Sequence, residues 1–366
     1  MQARRRVLVA MSGGVDSSVA AARLHETDEV VGVTLHLWDY PDEGAGGRGR
    51  CCAPEDQYDA RRVADALGFP HFTFDRRELF ARTVVEPFVD AYIAGETPSP
   101  CTACNRSVKL AELFALADRL GASHVATGHY ARIVRSPSGA AQLATGADPA
   151  KDQSYFLYAS PQSWLERLLF PLGESTKTEV RAEATRRNLP GAGKGESQEL
   201  CFVGGKAHAH AAFVADRAAG RLRPGPIVDA QGTTLGAHDG VHRFTIGQRK
   251  GLGIAAGRPV FVTRIDAASA TVHVRDGAAL GSMGAEVADV SLAEGVSLPL
   301  RATVRVRYRH EGQAATLELH GPRGARVAFE GPVQAVTPGQ VAVFYDGERV
   351  LGGGRITRSL DASSAA

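Results

Sequence analysis

The chain has 366 residues, 44% hydrophobic and 22% charged, with a net charge of +2. That length suits two or three domains, and the composition excludes a disordered or low-complexity chain. No apolar run approaches the ~20 residues of a membrane span. Five cysteines are an odd and sparse set, which argues against a disulfide scaffold and for a reducing cytoplasm.

At the N-terminus Arg4, Arg5 and Arg6 precede an apolar run from Val7 to Met11. A signal-peptide core needs roughly 7–15 apolar residues and a small-residue cleavage site. This run is shorter and leads into a glycine loop, so it is expected to be a buried first strand. Further short buried strands are expected at 30–37, 71–74 and 124–127, with helices between them. In one helix Leu110, Leu113, Phe114, Ala117 and Leu120 share a face at 3.6-residue spacing, and Gly121 ends it. Such alternation means a doubly wound parallel sheet that binds its ligands at the carboxyl ends of its strands.

Residues 131–146 read as a hairpin turning at Ser136-Pro137-Ser138-Gly139, and 152–170 and 176–188 as helices. Residues 191–199 are small and polar and are expected to form a mobile loop. A helix at 206–219 precedes the turn Pro224-Gly225-Pro226, followed by alternating strands such as 260–265 and 271–274. From about 285 the chain reads as a small β-barrel, with a short tail at 363–366. The expected domains are 1–205 (α/β), 206–280 (small α+β) and 281–366 (β-barrel). Residues 1–205 carry 23 Lys and Arg against 26 Asp and Glu, and residues 206–366 carry 19 against 14. The C-terminal half therefore leans toward a polyanion partner.

The sharpest motif is Ala10-Met11-Ser12-Gly13-Gly14-Val15-Asp16-Ser17-Ser18, between the first strand and a helix. Its glycines permit a tight turn and close backbone approach, and the helix N-terminus offers N–H groups to an anion. The lysine of G-x-x-x-x-G-K-[ST] is missing, so this is not the P-loop of kinases and GTPases. Ser-Gly-Gly-x-Asp-Ser instead resembles the PP-loop of ATP pyrophosphatases, which split ATP between the α and β phosphates and adenylate an oxygen.

Cys104 lies in Thr97-Pro98-Ser99-Pro100-Cys101-Thr102-Ala103-Cys104-Asn105, and a helix is expected to begin directly afterwards, favouring its thiolate. Cys201 follows the glycine-rich loop. Two reactive thiols beside an ATP site suggest that one carries a persulfide and the other resolves it. In residues 301–310, period-two alternation places Arg305, Arg307 and Arg309 on one face of a strand, and Val304, Val306 and Tyr308 on the other. That arginine row suits phosphate contacts, and Arg249 and Lys250 in a glycine-rich loop can add to them.

Together these residues resemble the tRNA-specific 2-thiouridylases, the MnmA/TrmU family, over essentially the whole chain. The resemblance rests on Ser12–Ser17, the 100–105 segment, Ala126-Thr127-Gly128-His129-Tyr130, Lys151-Asp152-Gln153-Ser154-Tyr155-Phe156-Leu157, Cys201-Phe202, Thr245-Ile246-Gly247-Gln248-Arg249-Lys250-Gly251 and Pro338-Gly339-Gln340. It implies an α/β, doubly wound PP-loop domain, then a small α+β domain and a C-terminal β-barrel. It implies that Cys201 carries the persulfide and that Cys104 is the second catalytic cysteine. Ala10, Met11, Ser12, Gly13, Gly14, Val15, Asp16, Ser17, Leu35 and Gly128 would line the site for ATP with Mg2+. Ser99, Pro100, Cys101, His129, Lys151, Asp152, Gln153, Arg307, Tyr308 and Gln340 would meet the tRNA. The implied partners are wobble-uridine tRNAs for Lys, Glu and Gln, and a persulfide donor such as a cysteine desulfurase or sulfur-relay protein.

Many relatives have Asn-Pro-Asp where this chain has Ser99-Pro100-Cys101, which adds a third thiol. Cys101, Cys104 and Cys201 could then hold an iron–sulfur cluster whose open iron presents a hydrosulfide, an alternative to the persulfide. Cys51 and Cys52 are read as structural. Two other functions compete. One is a PP-loop ligase using ammonia, which predicts neither reactive cysteines nor a basic β domain. The other is a non-catalytic iron–sulfur or zinc RNA-binding protein, which leaves the PP-loop unexplained.

Overall fold

The computed structural model describes residues 4–39, 54–195, 200–204 and 209–361. Cys51, Cys52, residues 196–199 of the expected loop, 206–208 of the expected helix and the 363–366 tail lie outside them. Two compact units are formed, one from 1–84, 101–204 and 348–350, the other from 85–100, 205–347 and 351–366. Among the described residues no helix is long and apolar enough to cross a membrane.

In the first unit, strands β1 (Arg6–Ala10), β2 (Glu29–His36), β3 (His71–Asp75) and β4 (His124–Ala126) form a parallel sheet. A hairpin of β5 (Ala131–Arg135) and β6 (Ala141–Thr145) follows, turning where expected, with Ser136 N–H donating to Ala140 O at 2.9 Å. The sheet gains an edge strand β7 (Leu168–Leu169), giving the order β3-β2-β1-β4-β7. Val7, Leu8 and Val9 of the central strand are wholly buried, as a sheet covered on both faces requires.

The expected helix over 152–170 is not there. Pro161 lacks an N–H and cannot continue a helix, so the segment breaks into a single turn at Ser154–Leu157 and a short helix at Gln162–Leu165. Leu168 and Leu169 are then released to pair with Val125 and Ala126. The helix Lys177–Arg186 does form, because Thr176 and Glu179 make a capping box.

The second unit holds a four-stranded sheet of β8 (Gly225–Val228), β9 (Thr234–His238), β10 (Phe261–Asp266) and β11 (Thr271–Arg275). A barrel follows, built from β12 (Gly281–Leu292), β13 (Leu300–Arg305), β14 (Gln313–Leu319), β15 (Ala325–Gln334), β16 (Val341–Asp346) and β17 (Arg349–Leu360). Its order β12-β15-β14-β13-β16-β17 closes through β12 and β17, so no edge is left for stray pairing. Inward residues such as Val304, Leu317, Val327, Phe344 and Ile356 fill it.

Candidate functional site

The phosphate loop leaves the carboxyl end of β1 and stays tied to β2. Met11 N–H donates to Val33 O at 2.8 Å, and Thr34 Oγ1 donates to Met11 O at 2.7 Å. The two glycines have different jobs. Gly13 sits at φ +71°, and a Cβ there would lie 2.1 Å from Asp56 O, at the start of helix α2 (Pro54–Leu67). Gly14 has ordinary extended geometry and is the N-cap of helix α1 (Val15–His25). Gly14 has no side chain with which to cap α1, so among the described residues the N-cap leaves the first-turn N–H groups as anion donors. Ser17 Oγ accepts from Ser12 N–H at 3.1 Å and donates to Gly14 O at 3.0 Å, which locks the loop. Gly128, just past β4, lies against α1; a Cβ there would sit 2.8 Å from Ser17 N. Leu35 is buried on β2.

Asp16 is the centre of a network. Lys177 Nζ donates to both of its oxygens at 2.7 Å, and Tyr130 Oη donates to Oδ1 at 2.8 Å. Gln153 in turn accepts from Tyr130 N–H at 3.0 Å and donates its own N–H to Tyr130 O at 2.8 Å. Lys177 has no place in the sequence reading. Its one local signal is that a lysine in the first turn of a helix opposes the helix dipole. Lys194 is the second unforeseen lysine, donating to Asp56 Oδ1 at 2.8 Å and also paired with Asp59. Burial opposes its charge, but the hydrogen bonds to Asp56 and Asp59 outweigh burial and raise its pKa.

The helix carrying Cys104 starts earlier than expected. Backbone geometry is helical from Pro100 through Arg119, with a π-helical turn at Asn105–Lys109. Cys104 is therefore in the second turn and buried, while Cys101 holds the first turn and is half-buried. Pro100 explains the shift, since proline is pre-organised for a helix start. The dipole argument for a Cys104 thiolate weakens accordingly, because that effect fades after the first turn.

Both cysteine segments lie toward the carboxyl edge of the sheet. The helix ends near the amino end of β1, where Arg6 Nη1 donates to Leu120 O at 3.0 Å and Ser123 N–H to Arg6 O at 3.0 Å. Sixteen residues back, Cys104 is ~24 Å along the axis, more than the ~17 Å length of a five-residue strand. Cys201 sits in a turn whose next residue, buried Phe202, packs edge-on against Trp38 (6.2 Å) and Phe80 (5.6 Å). Trp38 follows the end of β2 and Phe80 follows β3. Among the described residues no three His, Cys, Asp or Glu side chains form a group able to hold a metal, so the iron–sulfur alternative gains no support.

Several residues expected to meet tRNA are spent on internal bonds. Asp152 is buried and accepts from Gly146 N–H (3.1 Å), Ser154 N–H (3.0 Å) and Ser154 Oγ (3.1 Å). Lys151 is half-buried in the turn before it. His129 Nδ1 is 2.8 Å from Thr127 Oγ1; burial of the ring, then the Lys109 cation, push its pKa down to about 3, so it is neutral at pH 7. In the second unit Gln340 Nε2 donates to Thr97 O (2.9 Å) and Pro98 O (3.3 Å), just before half-buried Ser99 and buried Pro100.

The arginine strand is shorter than expected. β13 stops at Arg305, whose guanidinium lies 4.5 Å over the Tyr345 ring. Arg307, Tyr308 and Arg309 follow in a bend and turn, so the alternation does not continue as a strand. The turn closes with His310 N–H donating to Arg307 O at 3.0 Å. Arg307 is exposed and donates to Gln334 O at 2.9 Å; Arg309 is also exposed.

A glycine loop joining a central parallel strand to an uncapped helix defines an enzyme fold of the PP-loop, nucleotide-using class. Three domain models match in series: the tRNA methyl transferase HUP domain over 5–205, the tRNA methyl transferase PRC-barrel domain over 211–276 and the aminomethyltransferase beta-barrel domain over 286–356. Relatives matched over nearly the whole length carry a different name. A tRNA-specific 2-thiouridylase MnmA of Sorangium cellulosum is 61% identical, over 98% of this chain and 94% of its own. Those of Geobacter metallireducens (46%; 98% and 98%) and Rhodospirillum centenum (45%; 97% and 92%) are also similar. This chain belongs to the tRNA-specific 2-thiouridylase family.

Proposed function

We propose that this chain replaces the C2 oxygen of a tRNA wobble uridine by sulfur, at the expense of ATP. The observation that supports this best is the shared edge: the phosphate loop and both cysteine segments lie toward the carboxyl ends of one parallel sheet. A uracil C2 carbonyl is a poor electrophile. Its oxygen attacks the α-phosphorus, the bond to the β-phosphate oxygen breaks, and pyrophosphate leaves with the electron pair while N3 loses its proton. The terminal sulfur of a persulfide on Cys201 then attacks C2 and AMP departs with the original oxygen. Cys104 attacks the Cys201 sulfur, which forms a Cys104–Cys201 disulfide and releases 2-thiouridine, reprotonated at N3. The base must leave the anticodon stack to be reached.

Ala10 to Ser17, Leu35 and Gly128 would hold ATP. Asp16 offers a hard carboxylate that suits the Mg2+ arriving with the ATP phosphates, whereas Ser17 Oγ and Ser18 Oγ are engaged within the loop. Ser99–Cys101, His129, Lys151–Gln153, Arg307, Tyr308 and Gln340 would meet the tRNA, with the domains divided at 205/206 and 280/281. The reading includes the tRNAs for Lys, Glu and Gln, a protein persulfide donor and a cytoplasmic setting. Incubation of the chain with ATP, unmodified tRNA and a persulfide donor, followed by mass spectrometry of nucleosides, should yield 2-thiouridine. Pyrophosphate release without 2-thiouridine would refute sulfur transfer and leave ATP use standing.

A further inference from the structure

We propose that His71 is a positioning residue for the phosphate loop: it starts a one-way chain of hydrogen bonds that runs through Thr34 and Ser17 and sets the loop's backbone for ATP. The proposal rests on the reading that this loop binds ATP, and not on sulfur chemistry.

The protons define the direction of the chain. Thr34 Oγ1 lies 2.7 Å from Met11 O and 2.9 Å from His71 Nε2. A carbonyl oxygen only accepts, so the single hydroxyl proton of Thr34 goes to Met11 O. His71 Nε2 is then the N–H donor to Thr34, which fixes the ring tautomer. Burial, then the Arg61 cation, hold the His71 pKa below the usual histidine range, so near pH 7 the ring is neutral and has one N–H to give. The carbonyl of Met11 and the N–H of Ser12 belong to one planar peptide unit, so holding the oxygen aims the N–H. Ser12 N–H donates to Ser17 Oγ at 3.1 Å, and Ser17 donates its own proton to Gly14 O at 3.0 Å. Every bond donates toward the loop, from β3 through β2 to the N-cap of α1.

His71 reaches Thr34 because Gly32 makes room. In the parallel register Gly32 stands opposite His71, and a Cβ on Gly32 would lie 3.1 Å from His71 Cδ2 and 2.8 Å from Met11 Sδ. Met11, Ser17, Thr34 and His71 are all buried. Hydrogen bonds in such surroundings are stronger than in water, and linked ones polarise one another. A donor at position 71 occupies a Thr34 lone pair and leaves the hydroxyl proton for Met11 O. Met11 N–H is held separately by Val33 O, so the residue that enters the loop has both backbone groups fixed. A loop set in advance needs no rearrangement when phosphates arrive.

The test uses the full chain, a non-hydrolysable ATP analogue, hydrogen exchange of the Ser12 amide and the melting temperature. His71→Leu should weaken the analogue about three- to tenfold, the contribution of one neutral hydrogen bond, and speed Ser12 exchange. His71→Gln keeps an N–H donor and should recover most of both. Thr34→Val cuts the chain in the middle, so adding His71→Leu to it should change neither readout further, whatever happens to the melting temperature. Equal effects of His71→Leu with and without Thr34, or no recovery in His71→Gln, would mean that the ring only fills space and would overturn the proposal.

The two readings fail separately. Parent protein that binds the analogue, with Ser12 exchange unchanged in His71→Leu, would overturn the chain of hydrogen bonds and leave ATP binding standing. Parent protein that binds no analogue would refute the ATP reading, and Ser12 exchange alone would then decide the chain.

Discussion

The phosphate loop and the arginine turn after β13 are both proposed to meet polyanions, yet they are built in opposite ways. In the loop the charges are enclosed and paired, the serine hydroxyls turn inward, and Gly13 is wedged against α2. In the turn Arg307 and Arg309 project into solvent, and one backbone oxygen steadies Arg307. A small ligand of fixed shape rewards preorganised donors, which cost no rearrangement when it binds. A long phosphate backbone rewards charges that act over about a Debye length and tolerate small shifts. The loop should therefore fail abruptly when altered, and the turn gradually.

The most abrupt failure is expected at the sulfur end of the same edge. Cys201→Ser should lower 2-thiouridine formation by at least about 10³-fold, as loss of a nucleophile does, while ATP and tRNA affinities stay as in the parent. Normal nucleoside yield from this variant would remove Cys201 from the chemistry. Next comes the contrast between the two glycines. Gly13→Ala combines a positive φ with a Cβ 2.1 Å from Asp56 O. It should cost about 2–3 kcal/mol of stability and most ATP binding. Gly14→Ala has ordinary φ, and its nearest neighbour is Ser12 Oγ at 3.5 Å. It should cost well under ~1 kcal/mol. Equal melting temperatures for the two variants would show that the Gly13 contact does not constrain the loop.

The turn predicts graded effects. Arg307→Ala should weaken tRNA binding and lower the slope of log K against log salt by about 0.7–0.9. Arg305→Ala should change that slope less, because its guanidinium is committed to the Tyr345 ring. Equal slopes for both variants would make the strand and the turn equivalent. A gentler test concerns His129, whose folded pKa is pushed down to about 3 by burial and by Lys109. The unfolded chain takes up that proton near pH 6.5. Its contribution is therefore full above pH 6.5 and is lost as pH falls from there toward 3. His129→Gln should flatten the fall of melting temperature between pH 6.5 and 4.5; an unchanged profile would mean that the ring accepts its proton in the folded state.

What could be read in advance follows the same divide. The glycine loop, the parallel strands and the closed barrel announce themselves through local rules: positive φ, buried β-branched runs, period-two patterning. Helix boundaries did not. Pro100 moved the start of the Cys104 helix upstream, and Pro161 broke the helix expected at 152–170, freeing Leu168 and Leu169 for the sheet edge. Lys177, and the contact of the motif residue Tyr130 with Asp16, were out of reach for another reason. Both side chains meet Asp16 across more than a hundred residues, and no spacing rule links positions 16, 130 and 177. Gln340 and Asp152 were visible as motif residues, but their hydrogen bonds to the chain itself were not.

The smallest expected effect is at Cys101, and it decides what the third thiol is for. Cys101 is half-buried in the first helical turn, and Cys104 is buried one turn on, so the pair has C-x-x-C spacing. Neither adenylation, nor attack on C2, nor resolution by Cys104 uses Cys101. Cys101→Ala removes one sulfur from a partly exposed position and should cost roughly 0.5 kcal/mol of stability, with the rate of thiolation close to the parent's. The measurement is 2-thiouridine yield from aerobically purified protein given a persulfide donor, beside the iron content of anaerobically prepared parent protein. Were sulfur delivered by an iron held by three cysteines, Cys101→Ala would lose both iron and activity. Retained yield without iron limits the essential thiols to Cys104 and Cys201.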